Sequence, residues 1–164
     1  MTKIGLLSDT HGWLNPKVFD FFKDCDEIWH AGDIGDISIA DDLSAFKKLR
    51  AVYGNIDDFD VRREYPKFQI FTVEDVKVVM THIGGYPQHY EIGIKDLLIK
   101  EKPDIFVSGH SHILKVMRDE KLNLLHLNPG AAGKNGFHKS LTMLRFDIER
   151  KNILNLELFE ATRQ

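Results

Sequence analysis

The sequence contains a single cysteine, Cys25, among its 164 residues, so it cannot form an internal disulfide. Nothing in this composition points to a disulfide-stabilised secreted protein. An excess of one charge is also lacking, because 22 Lys and Arg stand against 25 Asp and Glu, a formal net charge of −3. This balance argues against an extended nucleic-acid-binding face, and we expect none.

Long hydrophobic runs are absent too, since no segment approaches the roughly 20 apolar residues of a membrane-spanning helix. Residues 1–7 turn polar too soon for a signal peptide and begin a strand at once. We therefore expect a cytoplasmic protein with no membrane association. The length and the 43% hydrophobic content suit one domain over residues 1–164.

The first part of the chain alternates strands and helices. Short apolar runs predict strands over 3–7, 27–31 and 50–53. A helix start is predicted at Asn15, and helical spacing of apolar residues predicts a second helix over 37–46. This order predicts parallel strands joined by right-handed crossovers.

The second part predicts a different arrangement. We expect a hairpin over 67–80, a helix over 90–102 that Pro103 ends, and a buried strand over 105–108. Further strands are predicted over 114–118, 124–127, 141–146 and 153–159. Together the elements predict an α/β fold, a layered sandwich of two mixed β-sheets flanked by helices.

Polar residues of the metal-ligand type follow five of these strands. They are Asp9-Thr10-His11, Gly32-Asp33, Gly54-Asn55, Thr81-His82 and Gly109-His110-Ser111-His112. Because residues i and i+2 of an extended chain point the same way, each Asp-x-His or His-x-His pair is expected to face one side. Strand ends in α/β folds meet over a crevice. The donors are enough for two metal ions, which suggests phosphate-ester chemistry.

In their order, these motifs resemble those of the calcineurin-like metallophosphoesterases, in particular a small single-domain phosphodiesterase branch. The matching segments run from residue 9 to residue 130, and they end with Asn128-Pro129-Gly130. Each motif alone is weak, whereas the ordered set is specific. The resemblance implies a calcineurin-like fold and a metal-dependent hydrolase that cleaves phosphodiesters.

The resemblance also implies a role for each motif residue. The first metal would be bound by Asp9, His11 and His112. The second metal would be bound by Asn55, His82 and His110. Asp33 would bridge both ions with its two carboxylate oxygens, and a shared water or hydroxide would be the nucleophile. Manganese is favoured because several ligands are hard oxygens, with iron, zinc, cobalt and nickel as alternatives. The residues expected to take part in catalysis are Asp33, Asn55, Asp57, His82 and His110.

One position departs from the pattern of larger relatives, which place a histidine directly after the motif asparagine. This chain has Ile56 there, followed by Asp57. That histidine helps to bind phosphate and can protonate the leaving group, and the small branch lacks it. Asp57 is therefore a candidate acid or a partner of a metal ligand. Because a missing general acid costs about 10²- to 10⁴-fold, we expect a preference for esters with good leaving groups.

Alternatives are left open on four points. A eukaryotic retromer subunit has a similar fold and works as a protein-binding scaffold, and a phosphomonoesterase would use the same ions. The substrate is expected to be a small phosphodiester, either a nucleotide or a lipid-derived one. Whether the protein forms homo-oligomers is left open. Residues 133–139, which include His138, are interpreted as a solvated loop, with substrate contact as the alternative.

Overall fold

The computed structural model describes residues 1–164, in which twelve strands and four helices form. The strands are β1 (Thr2–Leu7), β2 (Glu27–His30), β3 (Lys48–Ala51), β4 (Phe68–Val73), β5 (Val76–Thr81), β6 (Gly85–Tyr86), β7 (His89–Tyr90), β8 (Ile105–Val107), β9 (Leu114–Asp119), β10 (Leu124–Pro129), β11 (Ser140–Glu149) and β12 (Asn152–Thr162). The helices are α1 (Lys17–Phe21), α2 (Ile37–Phe46), α3 (Phe59–Glu64) and α4 (Ile94–Glu101).

Ten of the strands form two five-stranded sheets. The first has the order β12-β11-β1-β2-β3 and the second the order β4-β5-β8-β10-β9. In the first sheet β1, β2 and β3 run parallel, and in the second β5, β8 and β10 do, while the other pairings are antiparallel. The predicted fold of two mixed sheets is therefore confirmed, and the parallel strands bring their carboxyl ends to one edge of each sheet.

The two sheets pack against each other through an apolar cluster to which both contribute. Trp29 of β2 is fully buried there, with Phe71 of β4 and Phe146 of β11 edge-on to it at 5.1 and 5.6 Å between ring centroids. Adjacent strand residues face opposite sides, so Ile28 instead meets the helices that cover the first sheet. Ile94 and Leu98 of α4 cover the second sheet. The extent of the domain, residues 1–164, stays a prediction.

Several element boundaries differ from those predicted. The third strand lies at Lys48–Ala51, because its pairing with β2 begins before the apolar run. Helix α4 begins at Ile94, after the small β6–β7 hairpin and a left-handed Gly93 with φ of 84°. Helix α3 was not expected, since it buries only Val61. None of the four helices has the length and hydropathy needed to cross a membrane.

A buried histidine makes the stability of this core depend on pH. His126 of β10 is fully buried and its Nδ1–H donates to the Phe106 carbonyl at 3.1 Å, whereas its Nε2 has no partner. Burial lowers the pKa of His126 from 6.5 to about 4. Between these values the unfolded chain binds a proton that the folded chain does not, so stability is lost as the pH falls.

We predict that this one group makes the folded protein about 2 kcal/mol less stable at pH 5 than at pH 7. The substitution His126→Leu should remove that share of the pH dependence, measured by urea denaturation at both pH values. His89→Leu, at an exposed position, is the matched control and should leave the difference between the two pH values as it is in the wild type. A His126→Leu protein with the full wild-type difference would contradict the assignment.

Candidate metal centre

The structure brings all seven residues expected to bind metal to the same edge of the two sheets. Each lies in a loop that follows a parallel strand: Asp9 and His11 after β1, Asp33 after β2, Asn55 after β3, His82 after β5, and His110 and His112 after β8. The first three loops belong to one sheet and the last two to the other. The site therefore depends on the packing of the two sheets.

The first group of donors consists of Asp9, His11 and His112, whose ligand-type atoms lie within 4.8 Å of one another. Asp9 Oδ1 is 3.1 Å from His112 Nε2 and 3.6 Å from His11 Nε2. The other oxygen, Oδ2, accepts hydrogen bonds from Ser8 Oγ at 2.6 Å and from the His110 backbone N–H at 3.2 Å. These bonds hold the carboxylate so that Oδ1 points into the group.

The second group consists of Asp33, His82 and His110, again within 4.8 Å. Asp33 Oδ2 lies 3.1 Å from His82 Nε2, and Asp33 Oδ1 accepts a hydrogen bond from the Ile56 backbone N–H. His82 Nδ1 lies 2.7 Å from the Ala31 carbonyl, to which it donates, and this leaves Nε2 with a free lone pair. Asn55 Oδ1 is 3.1 Å from His110 Nδ1, so Asn55 joins this group.

Asp33 lies where the two groups meet. Its Oδ2 is 3.1 Å from His82 Nε2 of the second group and 3.4 Å from His11 Nε2 of the first. Asp9 Oδ1 is likewise 3.8 Å from His82 Nε2. Asp33 Oδ2 lies within 3.4 Å of a nitrogen of each group, so Asp33 is the carboxylate better placed to serve both. It faces them through Oδ2 alone, and not through both oxygens as the resemblance implies, because Oδ1 accepts from the Ile56 N–H.

The backbone of the site is strained. Five of its residues are non-glycine residues with left-handed φ angles, and they are Asp9 (56°), His11 (48°), Asp33 (54°), His110 (72°) and His112 (60°). Such angles are uncommon outside glycine and cost on the order of 1–3 kcal/mol each. The expectation that an extended backbone aligns each pair was wrong, because β1 and β8 end before the motifs begin. Left-handed turns, and not strand alternation, direct these side chains together.

The unsatisfied atoms of the structure test whether these residues fit a metal. Four buried side-chain atoms have no hydrogen-bond partner, and three of them, Asp9 Oδ1, His11 Nε2 and His82 Nε2, face one another in this site. Unpaired buried polar atoms are costly, so three together need a shared partner. Carboxylate oxygen and imidazole nitrogen are ligands of divalent metals, and the donor set fits such ions.

The electrostatics also suit cations. Burial opposes ionisation of Asp9 and Asp33, yet contacts with His11 and His112 lower the pKa of Asp9, and a contact with His82 lowers that of Asp33. Hydrogen bonding to Asp9 raises the pKa of His11, and Asp33 outweighs burial to raise that of His82. Both carboxyls therefore stay ionised at neutral pH, and their charge attracts cations.

Asp57, the candidate acid, is buried and engaged with the backbone. Its two carboxylate oxygens accept hydrogen bonds from the backbone N–H groups of Ile34, Gly35 and Gly54 at 2.8–3.1 Å. These bonds tie the loop after β3 to the loop after β2. Both oxygens are engaged in these contacts, which favour the second expected role, in which Asp57 positions the loop of Asn55.

Sequence reasoning did not identify the contacts that residues 133–139 make with the site. His138 Nδ1 lies 3.2 Å from His112 Nδ1, while His138 Nε2 lies 2.7 Å from the Gly133 carbonyl. With Nε2–H donating to that carbonyl, Nδ1 of His138 accepts from His112, whose Nε2 is then free toward Asp9. The side-chain amide of Asn135 is 3.2 Å from His11 Nδ1. The glycines and the histidine of this segment were the only signal of such contacts.

Comparison with known proteins agrees with this geometry. The family model of the calcineurin-like phosphoesterase superfamily domain matches residues 2–151. A probable metallophosphoesterase of Methanocaldococcus jannaschii is 34% identical over 134 residues, which cover 78% of this chain and 67% of that protein. The chain belongs to the calcineurin-like phosphoesterase superfamily.

Two solved structures share the fold. An archaeal phosphodiesterase has a TM-score of 0.73 at 23% identity, with 98% of this chain and 99% of the other covered. Zinc-bound Vps29 from Entamoeba histolytica has a TM-score of 0.74 at 14% identity, with 99% of this chain and 100% of the other covered. One fold therefore includes both a phosphodiesterase and a Vps29.

The His138 contact leads to a prediction about metal affinity. Groups that orient a metal-binding histidine typically account for a 10- to 100-fold effect on affinity. We predict that His138→Ala weakens the binding of one Mn²⁺ ion per chain by about 10-fold or more, measured by calorimetric titration of metal-free protein. His89→Ala, which changes an exposed histidine, is the control. Wild-type affinity in the His138→Ala protein would contradict the proposed orientation of His112.

Proposed function

We propose that this protein is a phosphodiesterase that uses two divalent metal ions, manganese in the cell, to hydrolyse a small phosphodiester. The observation that carries the proposal is the position of Asp33 between two donor groups. Asp9, His11 and His112 would hold one ion, and Asn55, His82 and His110 the other, with Asp33 shared between them. The archaeal phosphodiesterase of the same fold supports this assignment.

When bound, divalent ions would supply positive charge that attracts the phosphate. They would also lower the pKa of bound water to near neutrality. The chain itself contributes only two carboxylates to the donor set, Asp9 and Asp33, so the charge of two such ions exceeds that of the ligands. The site then attracts a phosphate anion despite the net negative charge of the chain.

The exposed members of the second group face the substrate. His82 is buried, whereas Asn55 and His110 are exposed at the mouth of the site. Because the Asn55 oxygen faces His110, its amide nitrogen is free to donate a hydrogen bond to a phosphate oxygen. We therefore assign Asn55 both to metal binding and to orientation of the phosphate, with His110 beside it.

Protonation of the leaving group has no dedicated side chain in this arrangement. Ile56 occupies the position where larger relatives carry a histidine, and Asp57 is held by three backbone N–H groups. An ester whose leaving group is stable as an anion needs no such acid. We therefore expect activated or aromatic diesters, such as p-nitrophenyl esters, to be cleaved faster than simple alkyl ones.

A phosphomonoesterase is a second candidate because cationic groups lie beside the site. Arg62 and Lys67 line a recess of about 350 Å³ next to Asn55 and His82. Neither side chain has an ion-pair partner, but Arg62 is held in its loop because it donates to the carbonyls of Asp57, Gly54 and Asn55. The Lys67 ammonium makes no hydrogen bond and is the cation free to reach an ester. One lysine suits the single charge of a diester better than the double charge of a monoester, and p-nitrophenyl phosphate assayed in parallel separates the two.

A protein-binding scaffold is the candidate from another class. The edge strand β12 leaves Leu154, Leu156 and Leu158 partly exposed, which is the kind of surface that a scaffold offers to a partner. Against this reading, all the donors of the site are present and converge. A protein that binds metal but hydrolyses no ester with any common divalent ion would favour the scaffold.

The proposal predicts the behaviour of Asp33→Ala. Chelated wild-type protein should regain hydrolysis of bis-p-nitrophenyl phosphate when Mn²⁺ is added, whereas Asp33→Ala should show no hydrolysis and greatly weakened metal binding. Asp42→Ala, which removes an exposed carboxylate from α2, is the control and should behave as wild type. Thermal melting checks that each variant folds. Full activity of Asp33→Ala would contradict the two-metal proposal.

A further inference from the structure

The loop of residues 133–139 is fixed against the candidate metal centre from both ends. Besides the contacts of Asn135 and His138 with His11 and His112, the Gly133 N–H donates to the Asp9 carbonyl at 3.0 Å. Gly136 packs so closely on the His112 ring that a Cβ there would clash with it. The loop is therefore part of the wall of the site.

The outer side of the same loop is also held. Arg163 donates to the carbonyls of Lys134 and Gly136, and its own backbone N–H donates to the Lys139 carbonyl at 2.9 Å. The Lys134 ammonium lies 4.3 Å from the centre of the Trp13 ring. A loop with this many contacts has a defined backbone position, and this fixes the point from which its outward side chain projects.

That side chain is Phe137, which is fully exposed although its neighbours on both sides contact the site. Together with Ile113, which is more than half exposed, it borders a recess of about 760 Å³ that opens beside His11 and His112. A single exposed phenylalanine is unremarkable on most surfaces. Here it stands with a second apolar residue at the edge of the donor groups.

The charge of the recess limits what can occupy it. Apart from its histidines, the recess is lined by serine, isoleucine, asparagine, glycine and phenylalanine, and by no lysine, arginine, aspartate or glutamate. The recess beside Asn55 and His82 instead contains Arg62 and Lys67. The two sides of the site therefore differ, and the side formed by the loop suits an uncharged, flat and apolar group.

We propose that Phe137 stacks on an aromatic ring carried by the substrate, so that the ester cleaved here is one of an aryl alcohol or a nucleoside. This inference rests on the proposed phosphodiesterase function and specifies its substrate class. Phe137 acts as a specificity residue: it contacts the organic group of the ester, while the donor groups bind its phosphate.

The test measures binding, so that it does not depend on turnover. Phenyl phosphate and methyl phosphate are titrated into Mn²⁺-loaded wild-type and Phe137→Ala proteins by calorimetry. The wild-type protein should bind phenyl phosphate more tightly than methyl phosphate. The substitution Phe137→Ala should weaken the affinity for phenyl phosphate by about 2- to 10-fold and leave the affinity for methyl phosphate unchanged. Phe137→Trp should keep the preference, and Phe59→Ala, at another exposed phenylalanine, should not alter it.

Adenosine 5′-monophosphate in the same titration distinguishes the two sources of the ring. If Phe137→Ala loses more affinity for adenosine 5′-monophosphate than for phenyl phosphate, the substrate is a nucleoside ester. If it loses more affinity for phenyl phosphate, the substrate is an aryl ester. Equal affinity of wild type for phenyl and methyl phosphate, or equal weakening of both in Phe137→Ala, would overturn the inference. If the protein hydrolyses no diester but still binds phenyl phosphate more tightly than methyl phosphate, the result counts against the proposed function and not against stacking.

Discussion

The arrangement of the whole site depends on two ionised carboxylates buried near each other. Asp9 and Asp33 each lose contact with water, and each retains its charge because imidazoles surround them and backbone N–H groups hold their outer oxygens. The inner oxygens and the nitrogens that face them lack hydrogen-bond partners. Burying charge in this way is unfavourable unless cations compensate it, which is the simplest reason for the donors to converge.

The scaffold stabilises a geometry that the loops would not adopt alone. Parallel strands from two sheets end at one edge, and left-handed turns after β1, β2 and β8 direct five of the ligand-type side chains inward. Gly54 passes so close to Asp33 that any side chain there would collide with the carboxylate. Asp57 joins the same two loops through the backbone. The strain concentrated at the site is offset by the apolar core between the sheets.

The layered fold and the convergence of the seven donors could be predicted, because each motif directly follows an apolar strand and the motifs keep a specific order. Other features depend on contacts between distant parts of the chain. The position of His138 beside His112 arises from a loop 26 residues further along, and no local pattern indicates it. Left-handed angles at Asp9 and His110 are likewise imposed by tertiary packing, since neither residue type requires them.

The most direct test of the account is anomalous diffraction from crystals grown with Mn²⁺. The account predicts two manganese peaks per chain on either side of the Asp33 carboxylate, one beside Asp9, His11 and His112 and the other beside Asn55, His82 and His110. A single peak, or manganese bound away from Asp33, would contradict the claim that this carboxylate joins two metal sites.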